Sequence, residues 1–151
     1  RLPTRESYLI GFGPGFSSNL NGKTGVSYLI GYKWSLDLQF DLQTIFEVSS
    51  AAGQEGQSSV GIGIGGRYFL NTSKHAPFVS SIFGYGSNEV SNHAPVDDTK
   101  VSGIYTGLGV GYEFYRTSDV NFSTELSYRY FTNSSEYVPS HSTQFRVIMA
   151  F

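Results

Sequence analysis

Gly61, Gly63 and Gly66 stand in the stretch VGIGIGG with the G-x-G-x-x-G spacing of a dinucleotide-binding loop. That chemistry needs the glycines between a strand and a helix, because the helix N-terminus offers its free amides to phosphate. Residues 67–70 instead continue a two-residue alternation, so no helix begins there. The stretch therefore predicts glycines that give clearance inside a narrow barrel beside the long side chain of Arg67, and not a phosphate site.

The other reactive residues form no catalytic or metal-binding pattern. The three histidines, His75, His93 and His141, lack the ligand spacing of a metal site, and the chain has no cysteine. An acidic stretch around His93 also lacks a cation-binding pattern; its members are Glu89, His93, Asp97 and Asp98. We therefore expect no catalytic residue, no cofactor and no metal, and we expect the histidines to be solvated.

Composition limits the class of protein. The chain has 151 residues, which suits a single domain over residues 1–151, and its 10 Lys and Arg nearly balance its 12 Asp and Glu. No basic face therefore indicates nucleic acid. Aromatic residues make up 16% of the chain beside 18 glycines, and no stretch of about 18 apolar residues predicts a transmembrane helix.

Strict alternation of apolar and small or polar residues recurs along the whole chain and predicts strands. The predicted strands are 8–16, 26–34, 37–48, 60–70, 78–86, 104–114, 122–130 and 143–151. Short turns are expected near 35–36, 71–76 and 116–119, and longer polar loops at 17–24, 49–57, 87–99 and 132–142. This rhythm predicts an all-β fold, an eight-stranded antiparallel up-and-down transmembrane β-barrel in which the strands form a meander.

The ionisable strand residues all fall opposite the large apolar side chains. They are Lys33, Asp37, Asp41, Glu47, Arg67, Glu113, Glu125, Arg129 and Arg146. Glycine recurs on the same face, where it would only weaken a solvent-exposed strand. We therefore expect this face to line the lumen as an ion-paired network with Arg129 and Glu125 among its members, and the charge-free apolar face to contact lipid. A soluble lipocalin-type barrel shares the alternation but would bury the aromatic residues.

Aromatic residues mark both ends of the apolar face, as a bilayer favours. Those beside the short turns are Tyr8, Tyr32, Trp34, Tyr68, Tyr112, Phe114 and Phe151. Those toward the longer loops are Phe16, Tyr28, Tyr128 and Tyr130.

The final stretch, TQFRVIMAF, resembles the C-terminal strand signature that the barrel-assembly machinery of bacterial outer membranes reads. Its alternating residues are Phe145, Val147, Met149 and Phe151. With the glycine-rich strands GIGIGGRYF and GLGVGYEF, the whole chain resembles the small OmpA/OmpX-type outer-membrane proteins. The resemblance implies a Gram-negative outer membrane with both termini in the periplasm, contacts with lipids and lipopolysaccharide, and four longer loops at the cell surface that are available to a ligand.

Barrels of this size also include enzymes that modify lipid A. The deacylase branch uses a His-x-Ser pair followed by a Glu, whereas here Thr143 stands at the serine position after His141 and no acid follows it. The palmitoyltransferase branch has an amphipathic helix before the barrel, for which RLPTRES is too short. We therefore predict a non-enzymatic barrel with a plugged polar lumen and a structural or adhesive role; the alternatives are a lipid A-modifying enzyme and a porin-like pore for small solutes.

Overall fold

The computed structural model describes residues 5–17, 24–51, 56–91, 99–132 and 141–151, and they form eight strands. The strands are β1 (Arg5–Ser17), β2 (Thr24–Ser35), β3 (Phe40–Ala51), β4 (Gly56–Phe69), β5 (Ala76–Ser91), β6 (Thr99–Phe114), β7 (Asn121–Phe131) and β8 (His141–Ala150). No helix among the described residues is long and apolar enough to cross a membrane.

Each strand pairs antiparallel with its neighbours in the chain, and β8 returns to pair with β1. The sheet is therefore a closed barrel, and the predicted eight-stranded meander is confirmed. The closing pair runs from Leu9 opposite Ala150 to Ser17 opposite Ser142. Both described chain ends lie at the same end of the barrel as the turns at residues 36–39, 70–75 and 115–120, and we call this end the turn end. We call the opposite end the loop end.

Alternate residues point to opposite sides of the barrel wall, as the pleat of a strand requires. Leu108 and Ile64 on the outside are 69% and 65% exposed, whereas Arg146 and Arg67 on the inside are 0% and 1% exposed. The apolar face is therefore the outer face and the charged face is the inner one. The outward direction predicted for Val79, Phe83 and Tyr85 on β5 is confirmed as well.

The strands reach further at the loop end than the sequence predicts. β5 continues to Ser91, so the predicted loop 87–99 begins too early, and β3 likewise continues to Ala51. The cause is that hydrogen bonds to a neighbouring strand hold Ser, Asn and Gly in a strand despite their low propensity. The segments left between these strands, 18–23, 52–55, 92–98 and 133–140, lie outside the described residues.

The prediction that Asp37 lines the lumen was wrong. Asp37 is exposed in the turn between β2 and β3, where its Oδ1 accepts hydrogen bonds from the amides of Gln39 at 2.6 Å and Phe40 at 2.8 Å. Asp favours such positions because its short side chain can bond the backbone a few residues further on. The alternation of polar residues thus runs past the end of the strand into a turn.

β1 begins at Arg5, earlier than predicted, and this places Glu6 on the outer face opposite Trp34. Glu89 of β5 also lies in a strand and not in a loop, on the outer face at the opposite end. The expectation of a charge-free outer face was therefore wrong at its edges. Both exceptions lie near strand ends, where a bilayer offers polar headgroups instead of hydrocarbon.

Gly13 and Pro14 interrupt the pairing between β1 and β8. Proline has no amide hydrogen to donate to the ladder, and glycine allows close approach of another backbone. A Cβ atom added at Gly13 would overlap the backbone oxygen of Phe145, whereas one added at Gly15 would lie 3.8 Å from Gln144 Cγ. The closing seam thus depends on glycine at one position and tolerates a side chain at the other.

We expect Gly13→Ala to lower the free energy of unfolding by about 1–3 kcal/mol, because the new methyl group forces β1 away from β8. Gly15→Ala, two residues along the same strand, is the matched control and should change it by less than about 0.5 kcal/mol. Urea unfolding of both variants in detergent micelles measures the difference. Equal stability of the two variants would contradict the tight contact at Gly13.

Candidate functional site

The inward charges form two clusters, and the first, which we call the Glu47 cluster, lies around Glu47 of β3. Its carboxylate accepts hydrogen bonds from Arg129 at 2.7 and 3.3 Å and from Arg146 at 2.8 Å. Ser127 Oγ accepts a longer bond of 3.4 Å from Arg146. One carboxylate is therefore shared by two guanidinium groups from β7 and β8, and the cluster ties three strands together across the interior.

A glycine on the neighbouring strand makes room for this cluster. Gly107 of β6 pairs with Arg129 of β7. A Cβ atom added at Gly107 would lie 2.6 Å from Arg129 Nη1 and 2.7 Å from its Cδ. Any larger residue at Gly107 would therefore push the guanidinium group away from Glu47.

Gly61 and Gly63 make room for an aromatic ring, and not for Arg67 as the sequence suggested, whereas a Cβ atom added at Gly65 would meet the backbone oxygen of Ser81. A Cβ atom added at Gly61 or Gly63 would lie 2.8 or 2.9 Å from Tyr105, a ring that is 1% exposed inside the barrel. Tyr105 was not predicted from the sequence as a lumen residue. The signal was present, because Tyr105 has the same parity in β6 as the inward glycines of that strand.

The second cluster lies toward the turn end around Glu113 of β6, and we call it the Glu113 cluster. Glu113 Oε1 lies 3.4 Å from Lys33 Nζ, and Oε2 lies 3.2 Å from Arg67 Nη1. Lys33 is also 3.7 Å from Asp41 Oδ2, and Arg67 Nη2 is 3.7 Å from Glu125 Oε2. These five side chains come from five different strands and link them through the middle of the barrel.

The structure therefore places all the predicted lumen residues except Asp37 inside the barrel. They carry four positive and four negative charges: Lys33, Arg67, Arg129 and Arg146 against Asp41, Glu47, Glu113 and Glu125. Arg129 and Glu125, named above as members, lie in different clusters, since Arg129 pairs with Glu47 and Glu125 with Arg67. The charges balance, which buried ions require.

Arg116, in the turn between β6 and β7, closes the Glu113 cluster at the turn end. Its Nη2 donates to the carbonyl of Leu38 at 2.9 Å and its Nη1 to that of Asn71 at 3.4 Å, so it connects all three turns. Its Nε is 4.0 Å from Glu113 Oε1, and its guanidinium lies 3.4 Å from the centroid of the Phe69 ring. Burial lowers the pKa of Arg116, and Glu113 opposes that shift, so the group keeps its charge at neutral pH.

Apolar side chains fill the interior beside the two charged clusters. The guanidinium of Arg67 lies 4.6 Å from the centroid of the Phe78 ring, which itself packs against Phe69. The other buried apolar residues in the described part of the chain are Leu9, Leu29, Ile45, Ala76, Ile82, Tyr105, Phe131, Ile148 and Ala150. Eight strands enclose just enough space for such side chains.

The remaining predicted residues lie on the outer face. Phe145, Val147 and Met149 point outward from β8, and Phe151 follows that strand while exchanging two backbone hydrogen bonds with Tyr8. The predicted turn-end aromatics also lie outside, at least partly exposed: Tyr8, Tyr32, Trp34, Tyr68, Tyr112 and Phe114. Tyr28, Tyr128 and Tyr130 lie outside toward the loop end, while the side chain of Phe16 is outside the described set.

The histidines in the described part of the chain contact aromatic rings and backbone instead of acids. His141 Nδ1 shares a 2.6 Å hydrogen bond with the hydroxyl of Tyr128, and His75 Nδ1 accepts the amide of Tyr115 at 3.4 Å. His93, Asp97 and Asp98 lie outside the described residues. No group of three metal-ligating side chains occurs among the residues that are described.

Several solved structures of similar fold align with nearly the whole chain. Neisserial surface protein A (NspA) matches with a TM-score of 0.80 and 15% identity over 96% of this chain and 95% of that chain. Ail, the attachment invasion locus protein of Yersinia pestis, matches with a TM-score of 0.62 and 13% identity over 96% and 95%. The outer membrane enzyme PagL matches with a TM-score of 0.56 and 11% identity over 97% and 99%.

The chain has the fold of the small outer-membrane β-barrels. The resemblance to this group that the sequence suggested is thereby confirmed at the level of the fold. No protein-family model matches the sequence, and no curated protein matches it. Proteins with this fold include a surface protein, an attachment protein and an enzyme, so the fold does not by itself show the function.

We expect Glu47→Gln to lower the free energy of unfolding by about 3 kcal/mol, because it leaves Arg129 and Arg146 buried without their shared carboxylate. Asp119→Asn is the control: this exposed carboxylate pairs with Arg5 at the turn end and should contribute less than about 1 kcal/mol. Urea unfolding in micelles measures both variants. A loss below about 1 kcal/mol for Glu47→Gln would show that the Glu47 cluster does not hold the barrel together.

Proposed function

We propose that the protein is an integral outer-membrane barrel whose own side chains plug the lumen, and that its role is structural or surface-adhesive without catalysis. The observation that carries this proposal is the cross-strand pairing inside the barrel. Glu47 binds Arg129 and Arg146 in one cluster, while Glu113 binds Lys33 and Arg67 in the other. Breaking such buried pairs is costly, so they oppose a continuous water path.

The membrane placement is supported by the outer face. Large apolar side chains cover it from strand to strand, and a soluble protein rarely exposes a patch of that extent. Closure of the sheet also satisfies the backbone hydrogen bonds that hydrocarbon cannot satisfy. We place the termini and the three short turns in the periplasm, as the fold resemblance implies, with outer-membrane lipids and lipopolysaccharide around the wall.

The outward row of Phe145, Val147, Met149 and Phe151 is our proposed signal for the barrel-assembly machinery. It lies on the strand that closes the barrel against β1. Phe151 also packs beside Tyr8, with ring centroids 6.3 Å apart, so the same residue takes part in the finished seam.

If side chains plug the lumen, planar-bilayer recordings of the purified wild-type protein should show no current steps. Arg67 and Arg129 each belong to one cluster, so a conducting path would have to pass both. Regular current steps that change when Arg67→Gln or Arg129→Gln is introduced would overturn the plug and establish a pore. A change in apparent size on heating in detergent gels verifies that each sample contains a closed barrel.

The enzymatic alternative has no support in the described residues. His141 is on the outer face with Thr143 two residues further along, but its Nδ1 is bonded to Tyr128 and no acidic side chain pairs with it among the described residues. A hydroxyl nucleophile needs a base that a third group orients. We therefore assign no catalytic residue.

We assign the adhesive role to the loop-end segments, where the sequence predicts loops at 17–24, 49–57, 87–99 and 132–142. The stretches between the strands, 18–23, 52–55, 92–98 and 133–140, contain Lys23 against four acids: Glu55, Asp97, Asp98 and Glu136. Ail, with the same fold, has been crystallised with the heparin analogue sucrose octasulfate. The excess of acidic residues in these four stretches favours a neutral or basic surface ligand instead of a sulfated one.

Replacing residues 92–98 with a Gly-Ser linker of equal length should reduce adherence severalfold and leave the barrel folded, because β5 ends at Ser91 and β6 begins at Thr99. The measurement is adherence of bacteria that display either form to immobilised polylysine, heparin and matrix glycoproteins. We expect binding to the basic or neutral surfaces and none to heparin. Heparin binding by the wild type, or unchanged adherence of the variant, would contradict the proposal.

A further inference from the structure

The outer face at the turn end of β1 and β2 holds one carboxylate among aromatic rings. Glu6 pairs with Trp34 across the ladder, and the hydroxyl of Tyr32 donates a short hydrogen bond to Glu6 Oε2. The Tyr32 ring centroid lies 4.7 Å from that of Trp34 and 5.3 Å from that of Tyr8. We call these four residues the Glu6 cluster.

The Glu6 cluster has no cation of its own. Glu6 is exposed, and its Oε1 has no hydrogen bond or ion pair within the described part of the chain. No Lys or Arg lies on the outer face among the strand side chains that are described. A carboxylate beside the faces of Tyr and Trp is the chemistry that recognises an ammonium group, since both the charge and the rings attract it.

An apolar groove adjoins the Glu6 cluster on the same outer face. Tyr8 and Tyr32 belong to both, and the groove continues over Ile10, Ile30 and Phe46 with a volume of about 580 Å³. The groove is open along the outer face of the barrel. The apolar lining suits an acyl chain that points toward the centre of the barrel wall.

We propose that the Glu6 cluster and this groove form a binding site for a phospholipid with a primary ammonium headgroup, the chemistry of phosphatidylethanolamine. The ammonium group donates to Glu6 Oε1 against the rings of Tyr32 and Trp34, and one acyl chain lies in the groove. A headgroup without an ammonium would place its negative phosphate beside the carboxylate of Glu6 with no positive charge to compensate it. The site therefore disfavours anionic lipids. The site rests on the membrane placement proposed above.

Trp34 is the only tryptophan in the chain, so its fluorescence reports on this site alone. The folded protein is reconstituted in phosphatidylcholine vesicles that contain equal mole fractions of brominated phosphatidylethanolamine or brominated phosphatidylglycerol. We expect the brominated ethanolamine lipid to quench Trp34 with an apparent association about two- to fivefold stronger than the glycerol lipid. Glu6→Gln should bring the ratio to about one, because a neutral amide does not attract the ammonium group.

Asp119→Asn is the matched control, because it removes one exposed negative charge at the same end of the barrel and lies outside the Glu6 cluster. It should keep the wild-type ratio. Equal quenching by the two lipids in the wild type, or a preference that survives Glu6→Gln, would overturn the site while leaving the membrane placement intact. Absence of quenching by either brominated lipid would overturn the membrane placement, and the lipid site with it. The heat-induced gel shift verifies that each variant is folded.

Discussion

Closure of the sheet between β8 and β1 is the constraint on which every other feature depends. An open sheet would leave a row of unpaired amides and carbonyls at each edge, which hydrocarbon cannot satisfy. The backbone exchange between Tyr8 and Phe151 completes the seam at the turn end, and the gap at Gly13 and Pro14 is its one interruption among the described pairs. A barrel of eight strands closed in this way has a narrow interior, and the chain must fill it.

The interior solves a packing problem and an electrostatic problem together. Arginine and glutamate side chains from opposite walls need space to meet, and Gly107 provides it beside Arg129. Gly61 and Gly63 provide space for the ring of Tyr105 in the same way. The ions then neutralise one another, because an unpaired charge there would cost several kcal/mol. Removing one partner of a buried pair therefore lowers the free energy of unfolding by more than the modest net contribution of the whole pair.

The fold alone does not decide between the functions that barrels of this shape perform. NspA, Ail and PagL share the architecture, and they are a surface protein, an attachment protein and an enzyme. The polar groups of this chain provide the evidence that the fold lacks. The interior charges are paired, His141 is bonded to Tyr128 instead of an acid, and Glu6 places a carboxylate among aromatic rings at the turn end.

The sequence by itself determined the strand number, the meander and the direction of nearly every side chain, because a period of two residues is a local property of the backbone. Tertiary structure decided what those side chains meet. The partner of Arg129 is Glu47, 82 residues away, and Gly61 and Gly63 accommodate Tyr105 from β6. Alternation predicts the face on which a residue lies, but it does not predict the stagger between strands. That stagger determines which charged side chains lie at the same height in the barrel and can pair. Alternation did not predict the strand ends correctly, because a strand ends where its neighbour stops offering hydrogen bonds. Asp37 lies in a turn and accepts a backbone hydrogen bond there, and β1 begins early enough to include Glu6 on the outer face.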